Sequence, residues 1–175
     1  GANLSVARSF LAATGNSTHG YFGGGSPGPY STMDKVTYSS DTTAAVPGAN
    51  LSVARSFLAA TGNSTHGYFG GGANFPVYYS TMDKVTYSSD TTAAVPGANL
   101  SVTRAGLAAS SARANALPVA ELPAPTPTPQ TVLVPVPAPN TGYFGGGDPI
   151  TSLMDKVTYS SDTTAAVPGA NLSVA

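Results

Sequence analysis

Gly20-Tyr21-Phe22-Gly23-Gly24-Gly25 decides the reading of this chain, because it returns at Gly67–Gly72 and Gly142–Gly147. Each time it is followed, across a short variable loop, by Met-Asp-Lys-Val-Thr-Tyr-Ser-Ser-Asp. A segment that recurs with its context is the mark of a tandem array, in which each copy is one structural unit and buries its faces against its neighbours. Copies begin at Gly1, Gly48 and Gly97, so the spacings are 47 and 49 residues (48 − 1 and 97 − 48). The repeats are read as 1–47, 48–96 and 97–168, with 169–175 starting a next one.

Working outward from the glycines, four short strands are expected per copy, over 9–13, 19–23, 33–38 and 42–46 in the first. Ser9 to Ala13 is an apolar run stopped by Thr14-Gly15-Asn16-Ser17, a turn cluster in which Gly and Asn tolerate positive φ. His19 to Phe22 is the returning strand, and the three glycines permit bends or close approaches that a Cβ would forbid. Met33 to Tyr38 alternates with a period of two, placing Asp34, Val36 and Tyr38 on one face and Met33, Lys35 and Thr37 on the other. Ser39-Ser40-Asp41 turns the chain into Thr42–Val46, and Pro47-Gly48 closes the copy.

Composition agrees: 20 Gly and 15 Pro in 175 residues, with 41% hydrophobic and 9% charged residues, favour a turn-rich β protein. A net charge of −1 offers no clustered cations for phosphates, which argues against nucleic acid as a partner. Apolar runs are short and broken, far from the roughly 18–20 residues of a membrane helix, so no membrane span is expected. Cysteine is absent, which excludes disulfides and thiolate metal sites. The same heptapeptide, Gly-Ala-Asn-Leu-Ser-Val-Ala, stands at both ends, and the expectation is a segment of a longer polypeptide.

Two places depart from strict repetition. Ser26-Pro27-Gly28-Pro29-Tyr30 is replaced by Ala73-Asn74-Phe75-Pro76-Val77-Tyr78-Tyr79, as surface loops vary. Tyr30, Phe75, Tyr78 and Tyr79 are therefore the candidate ligand-contact residues. In the third copy a Pro-rich insertion occupies about 110–140; its prolines forbid helix and predict polyproline II, either as a semi-rigid spur or as a peptide docking on a neighbour.

No catalytic constellation emerges, and neither enzyme activity nor a cofactor nor a metal is expected. His19 and His66 lack a third equivalent and are read as solvent-facing. The triglycine lacks the Gly-x-x-x-x-Gly-Lys-Ser/Thr pattern of a phosphate loop. The charges say more: apart from Arg113, Glu121 and Asp148, all are phase-locked. They are Arg8, Arg55 and Arg104 before strand one, the Asp-Lys pairs beginning at Asp34, Asp83 and Asp155, and the turn residues Asp41, Asp90 and Asp162. The expectation is Arg-to-Asp pairs, since a bidentate guanidinium suits a carboxylate, tying a unit to itself or to the next.

Four strands per copy with a glycine cluster after the second resemble the kelch repeat of β-propellers. The resemblance rests on the arginine before strand one, on Tyr21-Phe22-Gly23-Gly24, and on Tyr38-Ser39-Ser40-Asp41-Thr42. Kelch's fourth-strand Trp is absent, and Ala44-Ala45-Val46 stands in its region. It implies an all-β fold of tandem four-stranded antiparallel blades. Propellers take 4 to 8 blades, so three repeats imply an incomplete ring or a linear stack completed by self-association or other subunits. The units are also similar to repeats of marine viral and bacterial surface proteins. That implies a non-enzymatic structural protein of a viral tail or fibre or an extracellular appendage, at the cell exterior or virion surface. An adhesive, glycan-binding role is the first expectation, and a self-assembling filament or matrix protein without ligand is the alternative.

Overall fold

The computed structural model describes residues 2–111 and 140–173; the Pro-rich insertion lies outside them almost entirely. Among the described residues the chain is all β, apart from three-residue 3-10 turns at Pro47–Ala49, Pro96–Ala98 and Pro168–Ala170. Each repeat is one four-stranded antiparallel sheet. The first contains β1 (Ala12–Gly15), β2 (His19–Gly23), β3 (Met33–Thr37) and β4 (Thr42–Ala45) in that order. The second contains β5 (Ala59–Gly62), β6 (His66–Gly70), β9 (Met82–Thr86) and β10 (Thr91–Ala94), and its variable loop folds into the two-stranded β7 (Ala73–Asn74) and β8 (Val77–Tyr78). The third contains β11 (Ala108–Ser111), β12 (Thr141–Gly145), β13 (Met154–Thr158) and β14 (Thr163–Ala166). No helix among the described residues is long and apolar enough to cross a membrane.

Strands two to four lie where the sequence places them, but the first strand runs over 12–15 rather than 9–13. Phe10 takes a left-handed backbone (φ 55), as does Phe57 (φ 56), which breaks the extended run before it can pair. Ser9 instead makes an isolated bridge to Ser26. The hairpin turn shifts with it: Gly15 is the last residue of β1, and the Asn16 side chain accepts from the backbone N–H groups of Thr18 and His19 at 2.9 Å. His19 and His66 are half-buried rather than fully solvated, each with Nδ1 at 2.8 Å from a threonine hydroxyl, Thr18 or Thr65.

The register is the same in all repeats, with Tyr21 opposite Lys35 and Phe22 opposite Asp34 in the first. Alternation therefore sends Tyr21, Met33 and Ala12 to one face, Phe22 and Val36 to the other. The sheets stack by placing unlike faces together. Tyr21, Met33 and Ala12 of the first sheet share a core with Phe69, Val85 and Tyr87 of the second. Tyr68, Met82 and Ala59 of the second meet Phe144, Val157 and Tyr159 of the third in the same way. The segment joining two repeats seals each core, Ala49, Leu51 and Leu58 at the first and Ala98, Leu100 and Leu107 at the second. Close stacking needs glycine: a Cβ added to Gly70 would lie 2.9 Å from the Phe144 ring, and one added to Gly67 would lie 2.5 Å from the Thr14 methyl of the first sheet.

Candidate functional site

The phase-locked charges divide into two sets. Arg8, Arg55 and Arg104 each pair with the third-strand aspartate of their own repeat, Asp34, Asp83 and Asp155, at 2.7, 3.0 and 2.8 Å, with all six side chains fully buried. The expected two-pronged fork is not formed. A single nitrogen, Nη2, makes the contact and also donates to the carbonyl of Phe22, Phe69 or Phe144, while the aspartate Oδ2 accepts from the backbone N–H of Ser5, Ser52 or Ser101. The pair is thus a three-way clasp between strand two, strand three and the segment entering the repeat. Burial lowers the pKa of Arg55 and Arg104, and the facing carboxylates, Asp83 and Asp155, oppose the shift.

The turn aspartates bind across repeats. Asp90 accepts from the Tyr21 hydroxyl at 2.5 Å and from the Lys35 ammonium of the preceding unit. Asp162 does the same with Tyr68, at 2.6 Å, and Lys84. Stacked tyrosines lie beside them, Tyr21 on Tyr87 and Tyr68 on Tyr159, with ring centroids 4.9 and 4.8 Å apart. Partial burial alone would push the carboxyls of Asp90 and Asp162 up, but the bonds from lysine and tyrosine bring both below their ordinary value. Burial, reinforced by the aspartate, drives the hydroxyl pKa of Tyr21 and Tyr68 far above the ordinary tyrosine value. Asp41, the aligned residue of the first repeat, is exposed and enters no ion pair among the described residues.

These directions fix the pH response of the junctions. The lowered carboxyl pKa values contribute stability that is present above about pH 4 and lost as pH falls through the folded values. The raised tyrosine values contribute stability that is present below about pH 10 and lost as pH rises beyond it. Thermal unfolding measured against pH is expected to show a plateau between these limits with a fall on each side. Replacing both Tyr21 and Tyr68 by Phe is expected to flatten the alkaline fall, and an unchanged alkaline limb would contradict this assignment.

The candidate contact surface is a row of rings that crosses the junctions. Phe10 stacks on Phe57 at 4.1 Å between centroids; Phe57 meets the edge of Phe75 at 5.5 Å; Phe75 meets Tyr78 at 5.6 Å. The Tyr78 hydroxyl then donates to Asp148 of the third repeat at 2.6 Å, a bond that raises its pKa. Phe10 and Phe75 are each 55% exposed, and Val77 beside them 52%. The backbone ties the row together, since Phe57 N–H donates to Phe10 C=O at 2.9 Å and Gly106 N–H to Phe57 C=O at 2.7 Å.

Of the four residues expected to contact a ligand, Phe75 and Tyr78 join this row. Tyr30 and Tyr79 are half-buried, and their carbonyls accept from the N–H of Arg55 and Arg104 in the next repeat. Phe10 and Phe57 were hidden in the sequence as members of an apolar strand. The one signal for them is Gly106, which fills the aligned position of the third repeat at φ 63 and marks a left-handed site. Phenylalanine there is held against its backbone preference, a strain of the kind found at ligand-contact positions.

Chemically the row offers ring faces and edges with one carboxylate at its end, suited to stacking against the apolar faces of a cyclic ligand. No three His, Asp or Glu side chains among the described residues gather to hold a metal ion. No protein-family model matches the chain, and no curated protein matches it either.

Proposed function

We propose that this chain is a non-enzymatic, kelch-like repeat protein of a viral tail or fibre or an extracellular appendage, adhering to surface glycans through the row Phe10, Phe57, Phe75 and Tyr78. One observation carries the reading: Phe10, 55% exposed, stands on left-handed backbone and stacks on the half-buried Phe57 in the same conformation, where the third repeat uses glycine. Stability does not ask for that choice, because phenylalanine costs about 1–2 kcal/mol at such a position. Sugar rings present C–H faces that stack on aromatic faces, and several rings in one row engage successive sugars of a chain. Sparse charge suits a neutral glycan.

The test compares Phe10→Gly and Phe75→Ala with the unaltered protein on a glycan array, followed by titration calorimetry on the best binder. Phe10→Gly copies the third repeat, so its melting temperature is expected to stay close to that of the unaltered protein. Affinity is expected to fall about twofold to tenfold per ring, for a lost stacking contact of about 0.5–1.5 kcal/mol. Equal affinity in both variants would reject the row as the binding surface. The alternative, a self-assembling extracellular filament or matrix protein, is favoured by a separate observation: the outer faces of the first and third sheets.

A further inference from the structure

We infer that a second copy of this chain docks head to tail, its first sheet packing on the outer face of the third sheet and repeating the geometry of the two internal junctions. The inference does not rest on the glycan reading. Its ground is that the parts of a junction stand at opposite ends of the stack, each without its counterpart among the described residues.

At the third sheet, Tyr143 and Lys156 align with Tyr21 and Lys35, which grip Asp90, and with Tyr68 and Lys84, which grip Asp162. Tyr143 and Met154 are half-buried here, whereas Tyr21, Tyr68, Met33 and Met82 are fully buried. Asn171 and Leu172 already lie where Asn50 and Leu51 lie at the first junction. Asn171 Oδ1 accepts from Met154 N–H at 3.3 Å, and Leu172 N–H donates to Ser152 C=O at 2.9 Å. A Cβ added to Gly48 would lie 2.9 Å from the carbonyl oxygen of Asp90, but one added to Gly169 meets nothing within 4 Å.

At the first sheet the counterparts wait. Phe22, Val36 and Leu11 line an apolar groove of about 360 Å³. Their aligned residues Phe69, Val85 and Leu58 are buried in the first internal core. Tyr38 is 50% exposed, against 8% for Tyr87. Among the described residues the Thr43 hydroxyl is buried without a partner, whereas Thr92 donates to Ala49 C=O at 2.6 Å and Thr164 to Ala98 C=O at 2.5 Å. Docking supplies each missing partner: Asp41 between Tyr143 and Lys156, Thr43 on the carbonyl of Ala170, and Tyr143 and Met154 in the groove. The charges are complementary, and the contact is heterologous, so successive copies build an open filament or a ring.

One overlap follows from the sequence. Ala170-Asn171-Leu172 of one copy and Ala2-Asn3-Leu4 of the incoming copy are identical and claim the same place. The former are already bonded to their sheet, so the incoming residues give way. Deleting residues 1–4 is therefore expected to strengthen association.

Sedimentation velocity over a wide concentration range tests this. The unaltered chain is expected to grow in mass above 17.4 kDa as concentration rises. Asp41→Gly, at a position (φ 49) that glycine tolerates, and Lys156→Glu are each expected to weaken association at least tenfold. Asp41→Gly retains an intact third-sheet face and Lys156→Glu an intact first-sheet face, so their equimolar mixture is expected to form a 1:1 dimer that ends there. A monomer at all concentrations, association unaffected by both substitutions, or a mixture that stays monomeric would overturn the proposal. So would a monomer that begins to associate only when residues 112–139 are deleted, which would make that segment the occupant. Because this readout is mass and the glycan readout is affinity on the aromatic row, either proposal can fail alone.

Discussion

Arg55→Ala is expected to destabilise the chain by about 3–5 kcal/mol, the usual result of leaving one member of a fully buried ion pair without its partner. Arg55 and Asp83 are both 0% exposed, and the guanidinium also holds the Phe69 carbonyl. Without it, the charge of Asp83 stays in the interior with one backbone donor, the N–H of Ser52, to stabilise it. The strand-two carbonyl loses its donor as well. Replacing both partners by apolar residues, Arg55→Met with Asp83→Leu, removes the stranded charge and is expected to cost much less. Chemical denaturation of the single and double variants reads the difference. A single substitution costing under about 1 kcal/mol would show that the clasp does not hold the repeat together.

The second large effect depends on which repeat is altered. Phe69→Ala is expected to cost about 3–5 kcal/mol, as truncating a fully buried aromatic does. Phe22→Ala, the same change at the aligned position, is expected to stay within about 1 kcal/mol in dilute solution, because Phe22 lines an open groove instead of a closed core. Near-identical sequences thus give unlike energetics, and the difference comes only from whether another sheet covers the face. Equal costs at the two positions would mean that the sheets do not stack as described.

That contrast shows what the sequence makes legible and what it hides. Strands two to four follow from alternation and turn residues, which are local properties of the chain, and they fall within a residue of expectation. Strand one is displaced because a single backbone angle at Phe10 decides it, and an apolar run carries no sign of that angle. The pairing of Arg with Asp is legible from phase-locked charge. The choice of aspartate is not, since Asp34 and Asp41 recur at the same period and only the stacking of sheets assigns one to the clasp and the other to the junction. Phe75 and Tyr78 drew attention because their loop differs between copies, and what the structure adds is that the two rings lie in one row. Phe10 and Phe57 carried no such sign, because the stack they form arises where two repeats meet.

The stacking itself is tested most directly by a double-mutant cycle across the first junction. Tyr21→Phe is combined with Asp90→Gly in one cycle and with Asp41→Gly in another, glycine being tolerated at both left-handed positions. Tyr21 donates to Asp90 of the next repeat, 69 positions along the chain, and not to the aspartate of its own. A coupling of about 1–2 kcal/mol with Asp90 and none with Asp41 is expected; coupling to Asp41 instead, or to neither, would contradict the stacking.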